Sequence, residues 1–198
     1  MSTIEAGWRR AREISEVDPQ SGEVEITECL REGMRRILSE RTAIWCKRMT
    51  VLPGTESRSS PAATRPDGRT DIPIFFQEIR ETHDDHDPHA IIECKRVAAN
   101  DAALCRLYVV EGIDRYTSTK YAGRHTVAFM AGYVLSGSVG AVAHGINRYL
   151  SRHDRAAERL TSCTVVVAAW ARSSRHPRPP PAAPIDLHHA FLTFKAVP

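Results

Sequence analysis

The order of hydrophobic periodicities constrains this chain more than any single residue does. Residues 23–39 set Ile26, Leu30, Met34, Ile37 and Leu38 on one side and Arg31, Arg35 and Arg36 on the other, the repeat of an amphipathic helix. Strand-like runs follow at 44–52, 71–77 and 90–97. Asn100 then suits a helix N-cap, ahead of Leu104, Leu107, Tyr108 and Ile113 at helical spacing. Another strand is predicted over 125–134. Helix, three strands, helix, strand is the pattern of an α/β protein whose mixed sheet is covered by helices on both faces.

The flanks read less sharply. Residues 3–16 carry a helical stripe of Ile4, Trp8, Ala11 and Ile14, closed by Pro19-Gln20-Ser21-Gly22. Residues 53–70 predict a long loop, and such loops are often functional. Pro73 pushes its strand towards an edge or a bulge. Residues 81–89 are a polar turn. A short helix is predicted over 141–151 and a strand over 163–171, where Val165, Val166 and Val167 give the most strand-like run in the chain. Five prolines within 177–184 make an extended connector, and 190–194 returns to the core. No internal repeat is visible. The 198 residues suit one domain, with a core over 23–135 and a C-terminal α/β extension over 136–198.

Composition narrows the class. With 27 basic and 24 acidic residues the net charge is +3, which permits a local nucleic-acid patch without demanding one. The five cysteines are Cys29, Cys46, Cys94, Cys105 and Cys163; they are far apart and form no CxxC pair. Neither a zinc knuckle nor a disulfide framework is indicated. No leader and no membrane-length apolar run is read, so a soluble, cytoplasmic protein in a reducing compartment is expected.

The chemistry concentrates in Ile91-Ile92-Glu93-Cys94-Lys95-Arg96. Strand alternation puts Glu93 and Lys95 on one face and Ile92 and Cys94 on the other. Asp71 opens the preceding strand, and pairing of the two strands would bring it near Glu93 and Lys95. Two close carboxylates repel, and burial raises their pKa values. A divalent cation removes that penalty while keeping positions open for water and a phosphate oxygen. A lysine adds a positive charge that orients or helps deprotonate water and stabilises charge developing on phosphate. The set suits metal-assisted phosphodiester hydrolysis.

These residues resemble the PD-(D/E)XK nuclease superfamily, the restriction-endonuclease-like fold. Its aspartate at the start of a core strand matches Asp71, and its E-x-K matches Glu93-Cys94-Lys95. The residue before Asp71 is Thr70, and Pro66-Asp67 upstream is an alternative to it. The resemblance spans about 23–135 and implies an αβββαβ core. It further implies Mg²⁺ (or Mn²⁺) held by Asp71, Glu93 and the Cys94 carbonyl, with Lys95 at the attacking water. Many members carry a glutamate in the first core helix; Glu23 is the first choice here, with Glu25 and Glu28 behind it. Arg96, Arg115, Lys120 and Arg124 are candidate phosphate contacts. The implied activity is a metal-dependent endonuclease acting on DNA before RNA, in a restriction or anti-phage setting, with a homodimer or an accessory protein as possible partner.

Other readings compete. The tripeptide alone favours an exposed ion pair worth about 0–1 kcal/mol; Asp71 and the element order turn the reading towards the nuclease site. The run His83-Asp84-Asp85-His86-Asp87-Pro88-His89 offers a second metal site but falls where a solvated turn belongs. Arg115, Tyr116, Lys120 and Tyr121 could stack on and contact nucleic acid, or satisfy a helix dipole. Ser174, His176, His188 and His189 suggest a serine–histidine site, yet no Gly-x-Ser-x-Gly elbow exists. Cys94 is a small core filler rather than a nucleophile. The alternative function is a non-catalytic module of the same fold that binds a partner or nucleic acid.

Overall fold

The computed structural model describes residues 1–57, 68–79, 88–121 and 125–194. Two amphipathic helices begin the chain, α1 (Ser2–Ile14) and α2 (Glu23–Glu40). A short helix, α3 (Ile44–Lys47), leads into β1 (Met49–Val51). The hairpin of β2 (Glu56–Ser57) and β3 (Gly68–Arg69) precedes β4 (Ile72–Phe76) and β5 (Ala90–Ala98). Next comes one continuous helical stretch: α4 (Ala102–Tyr108), a π-turn at Val109–Ile113, and α5 (Asp114–Thr117). The chain ends with β6 (Val127–Ser136), α6 (Val139–Arg152), a 3₁₀ turn at Ala156–Glu158, and β7 (Thr161–Ser162), β8 (Ala171–His176) and β9 (Ile185–Thr193).

Seven strands form one mixed sheet in the order β1-β4-β5-β6-β9-β8-β7. The centre is parallel, β5 with β6 and β6 with β9, and both margins are antiparallel. Each face carries its own core. On one side Ile26, Leu30 and Met34 of α2 and Ile4 and Trp8 of α1 cover Ile92, Cys94 and Tyr133. On the other, Tyr108, Val109 and Ile113 pack with Val142, Ile146 and Leu150 of α6 over Ile91, Val97 and Met130. The fold is therefore α/β with both faces covered, as the periodicities imply. Residues 136–194 extend the same sheet, to which they add β7, β8 and β9.

Close approach of α1 and α2 depends on glycine. A Cβ at Gly33 would lie 2.1 Å from the Gly7 carbonyl oxygen. The crossing is thus backbone on backbone, and Trp8 Nε1 donates to the Thr193 carbonyl (2.9 Å) to tie α1 to the end of β9.

Several expectations are corrected. Residues 44–47 are a helical turn, so the strand expected over 44–52 shrinks to Met49–Val51. Pro73 lies in an internal strand, not an edge. Its carbonyl accepts from Leu52 N, so its missing N–H faces the place where β1 ends rather than β5. Asp101, not Asn100, caps α4 by accepting from Leu104 N (2.9 Å); Asn100 takes the left-handed conformation before it. The strand expected over 163–171 is displaced to Ala171–His176, leaving Val165 72% and Val167 93% exposed. The sequence Ala171-Arg-Ser-Ser-Arg-His176 gives little apolar signal because two of its inward positions, Ser174 and His176, are polar. The turn over 81–89 lies mostly outside the described residues, as does Pro66-Asp67.

Candidate active site at the end of the β4–β5 pairing

Pairing between β4 and β5 begins at Ile72, opposite Ile92. One residue earlier the chain leaves the sheet, and this break builds the site. Asp71 is half-buried there, and its Oδ2 accepts the Cys94 N–H (2.7 Å), a bond the departed strand would otherwise have made. Glu93 lies beside it with 0% of its side chain exposed. Lys95, two residues on, shares its face: Nζ lies 2.9 Å from Glu93 Oε1 and donates to the Cys94 carbonyl (2.9 Å). The Cys94 side chain points the other way, into the α1/α2 core. The exposed ion pair that the tripeptide alone permitted is absent; the pair is buried.

Glu23 closes the site from the first turn of α2. Its Oε1 accepts from Lys95 Nζ (3.1 Å) and its Oε2 from the Arg96 N–H (3.0 Å). Both carboxylate oxygens thus bridge to β5, across 72 positions of sequence. Glu25 is exposed, and Glu28 is engaged by Arg31 on its own helix.

Arg115 enters from α5 and was not legible as part of this cluster. Its Nη1 donates to Glu93 Oε1 (2.7 Å) and to the Tyr121 hydroxyl (3.0 Å). The π-turn above it includes Gly112, where a Cβ would lie 2.5 Å from Met130 Cε. That contact lets the helix settle on β6 and brings α5 against the site. Arg115 therefore faces Glu93, with its side chain 27% exposed. Tyr116 and Tyr121 are corrected: both are buried, with Tyr116 bonded to the Ile91 and Phe129 carbonyls and Tyr121 to that of Arg69. They are core, not stacking platforms. Arg96 is half-buried beside Glu23, Lys120 lies against Gly68, and Arg124 is outside the described residues.

Electrostatics follow from crowding. Burial raises Asp71 above the ordinary carboxylate range, against the pull of Lys95. Burial and then Asp71 push Glu93 up to about 8, against Lys95 and Arg115. Burial lowers Lys95, but Glu93, Asp71 and Glu23 outweigh it and hold the ammonium above its usual value. Two cations share Glu93 Oε1, while Oε2 is buried with no hydrogen-bond partner. An orphaned carboxylate oxygen next to a second raised carboxylate is the condition a divalent cation relieves. No three His, Cys, Asp or Glu side chains converge as a cage among the described residues. The donors here are two carboxylates and a carbonyl with a spare lone pair, an oxygen set that suits Mg²⁺, which keeps several waters. These residues fit the cation that the sequence implies.

The serine and histidines form a separate structure. Ser174 Oγ lies between His176 Nε2 (2.6 Å) and His189 Nε2 (2.7 Å), and His189 Nδ1 meets the Tyr108 hydroxyl (2.9 Å). His176 Nδ1 meets Glu158, which Arg155 also grips. Burial raises Glu158, but His176 and Arg155 outweigh it and hold it at about 2; burial keeps His189 well below its usual value and so neutral. With Glu158 able only to accept, His176 Nδ1 donates to it, and Ser174 Oγ bridges the Nε2 atoms of His176 and His189. Ser174 is buried with both directions filled, so it is a link and not a nucleophile. His188 stands apart, beside Cys163.

Among the described residues no helix is long and apolar enough to cross a membrane. No protein-family model, curated protein or solved structure matches this chain, so the site is read from its own geometry.

Proposed function

We propose that the protein is a divalent-metal-dependent nuclease that hydrolyses phosphodiester bonds, with DNA as its substrate. The observation that carries this reading is the meeting of Asp71, Glu93, Lys95 and Glu23 at one break in the sheet, with Glu93 Oε2 buried and unpartnered. A Mg²⁺ or Mn²⁺ ion held by Asp71, Glu93 and the Cys94 carbonyl would supply Lewis-acid charge to a phosphate oxygen. Lys95 stays charged at neutral pH and is fixed by Glu93 and Glu23, so its ammonium is preorganised to hold the attacking water and to stabilise charge developing on phosphate. Glu23 acts as a positioning residue, since it fixes both Lys95 and the backbone at Arg96. Arg115, released from Glu93 Oε1, would sit near the scissile phosphate. A restriction or anti-phage setting is the biological role that the resemblance suggests.

A second reading rests on a specific observation. Lys95 and Arg115 together already occupy Glu93 Oε1, which suits a non-catalytic module whose polar groups only stabilise the fold. Plasmid cleavage with Mg²⁺ or Mn²⁺ separates the two. The wild type should nick or linearise DNA, and Asp71→Ala and Lys95→Ala should each abolish cleavage. A wild type that does not cut supports the module; cutting unchanged by both substitutions removes these residues from the mechanism.

A further inference from the structure

We propose that the groove between α4 and α6 is a second contact surface for the DNA backbone, formed by His144, Arg148 and Arg152. The inference deepens the nuclease reading and rests on it for the choice of DNA.

These three residues recur every fourth position on α6, opposite the face that buries Val142, Ile146 and Leu150. An α-helix rises about 1.5 Å per residue, so the three residues are rooted about 6 Å apart and span about 12 Å. One strand of a duplex offers about three phosphates over that length, at about 3.4 Å of axial rise each.

Most other helical arginines are matched: Arg9 with Glu5, Arg10 with Glu13 and Glu40, Arg31 with Glu28, Arg35 and Arg36 with Glu32, and Arg115 with Glu93. Arg12 and Arg106 form no ion pair with a described residue, but each is the single unpaired arginine of its helix. Neither α4 nor α6 contains an acidic residue. No ion pair or side-chain hydrogen bond joins His144, Arg148 or Arg152 to another described residue, and all three are exposed. After α6 the first carboxylates in sequence are Asp154 and Glu158, and Glu158 is engaged by Arg155 and His176. Unpaired arginines are what polyanion binding requires, whereas paired ones would have to break a bond first; the one carboxylate lining the groove, Asp101, is held as the α4 cap.

The groove beside the stripe, lined also by Asn100, Asp101 and Tyr149, encloses about 50 Å³. That is room for a water or two and not for an organic ligand, which favours an extended partner lying along the surface. The α4 and α6 helices belong to the layer covering the sheet face to which Glu93 and Lys95 project. A duplex engaged on this layer is held on the same side as the candidate active site.

The test is binding of a fluorescein-labelled DNA duplex by anisotropy, with an RNA duplex of the same sequence alongside, in EDTA so that no cleavage intervenes, between about 50 and 200 mM salt. The double variant Arg148→Ala/Arg152→Ala should bind more weakly and make the slope of log K against log salt shallower by about 2, at about 0.9 per phosphate neutralised. Arg148→Lys/Arg152→Lys should restore the slope, which loss of a structural role would not allow. An unchanged slope in the alanine variant overturns the proposal, as does a wild type that binds no DNA or only the RNA duplex. Because binding is read without metal, its failure is distinguishable from failure of the nuclease reading, which plasmid cleavage decides.

Discussion

Replacing Glu93 with glutamine tests the electrostatic core of the site without touching its shape. The amide would keep an oxygen facing Lys95 and Arg115 but could not titrate. In the wild type, burial and Asp71 hold Glu93 near 8, against an ordinary value of 4.5. Between those values the folded chain keeps a proton that the unfolded chain releases, so stability falls as pH rises through the window. Each pH unit costs about 1.4 kcal/mol, so from pH 5 to pH 8 the loss is on the order of 4 kcal/mol. Asp71, also raised, contributes with the same sign at lower pH. Three groups act the other way. Burial depresses His188, His189 and the Met1 amino group, and each adds stability as pH rises towards its ordinary value. The wild-type profile alone is therefore a sum of opposing slopes, and the difference between wild type and Glu93→Gln isolates the carboxylate. Urea unfolding in EDTA at several pH values gives that difference. Relative to wild type, Glu93→Gln should be more stable at pH 8 than at pH 5, by several kcal/mol. Parallel profiles would refute the claim that Glu93 is a buried acid held out of its normal range.

Two further substitutions probe the scaffold. Ser174→Ala leaves the Nε2 atoms of His176 and His189 facing each other without a link. It should cost about 1–3 kcal/mol in urea unfolding while leaving plasmid cleavage at wild-type level, because this link plays no part in the chemistry. Gly33→Ala would press a methyl group to 2.1 Å from the Gly7 carbonyl oxygen and should lower stability by about 1–3 kcal/mol or more by forcing α1 from α2; an unchanged denaturation midpoint would mean that the helices do not cross so closely.

The candidate site was legible where it lies on one strand. Glu93 and Lys95 at alternate positions of an apolar run can share only one face, and Asp71 at the head of the neighbouring strand is brought in by antiparallel pairing. Glu23 was legible only through the resemblance, since an acidic first turn is favoured on any helix. Arg115 was read as a phosphate contact or a helix-end cation, and its bond to Glu93 was missed because nothing local reveals the π-turn and the Gly112 contact that press α5 inward. The elements tell the same story. Residues 90–98 and 127–136 declare themselves through sustained apolar burial, whereas β8 conceals a strand beneath Ser174 and His176, which are inward but polar. The valines at 165–167 mislead for the opposite reason: their β-branched side chains favour a strand, but they fall in the connection between the paired strands β7 and β8.

The central claim is that Asp71 and Glu93 together hold a divalent cation, and titrating Mn²⁺ against thermal unfolding at about pH 8.5, above the raised value of Glu93, tests it most directly. A ligand that binds only the folded state stabilises by RT ln(1 + [L]/Kd), so the wild-type midpoint should climb steadily with Mn²⁺. Asp71→Asn and Glu93→Gln should each flatten that climb. A wild-type midpoint indifferent to Mn²⁺, or a climb of equal size in both variants, would contradict the account.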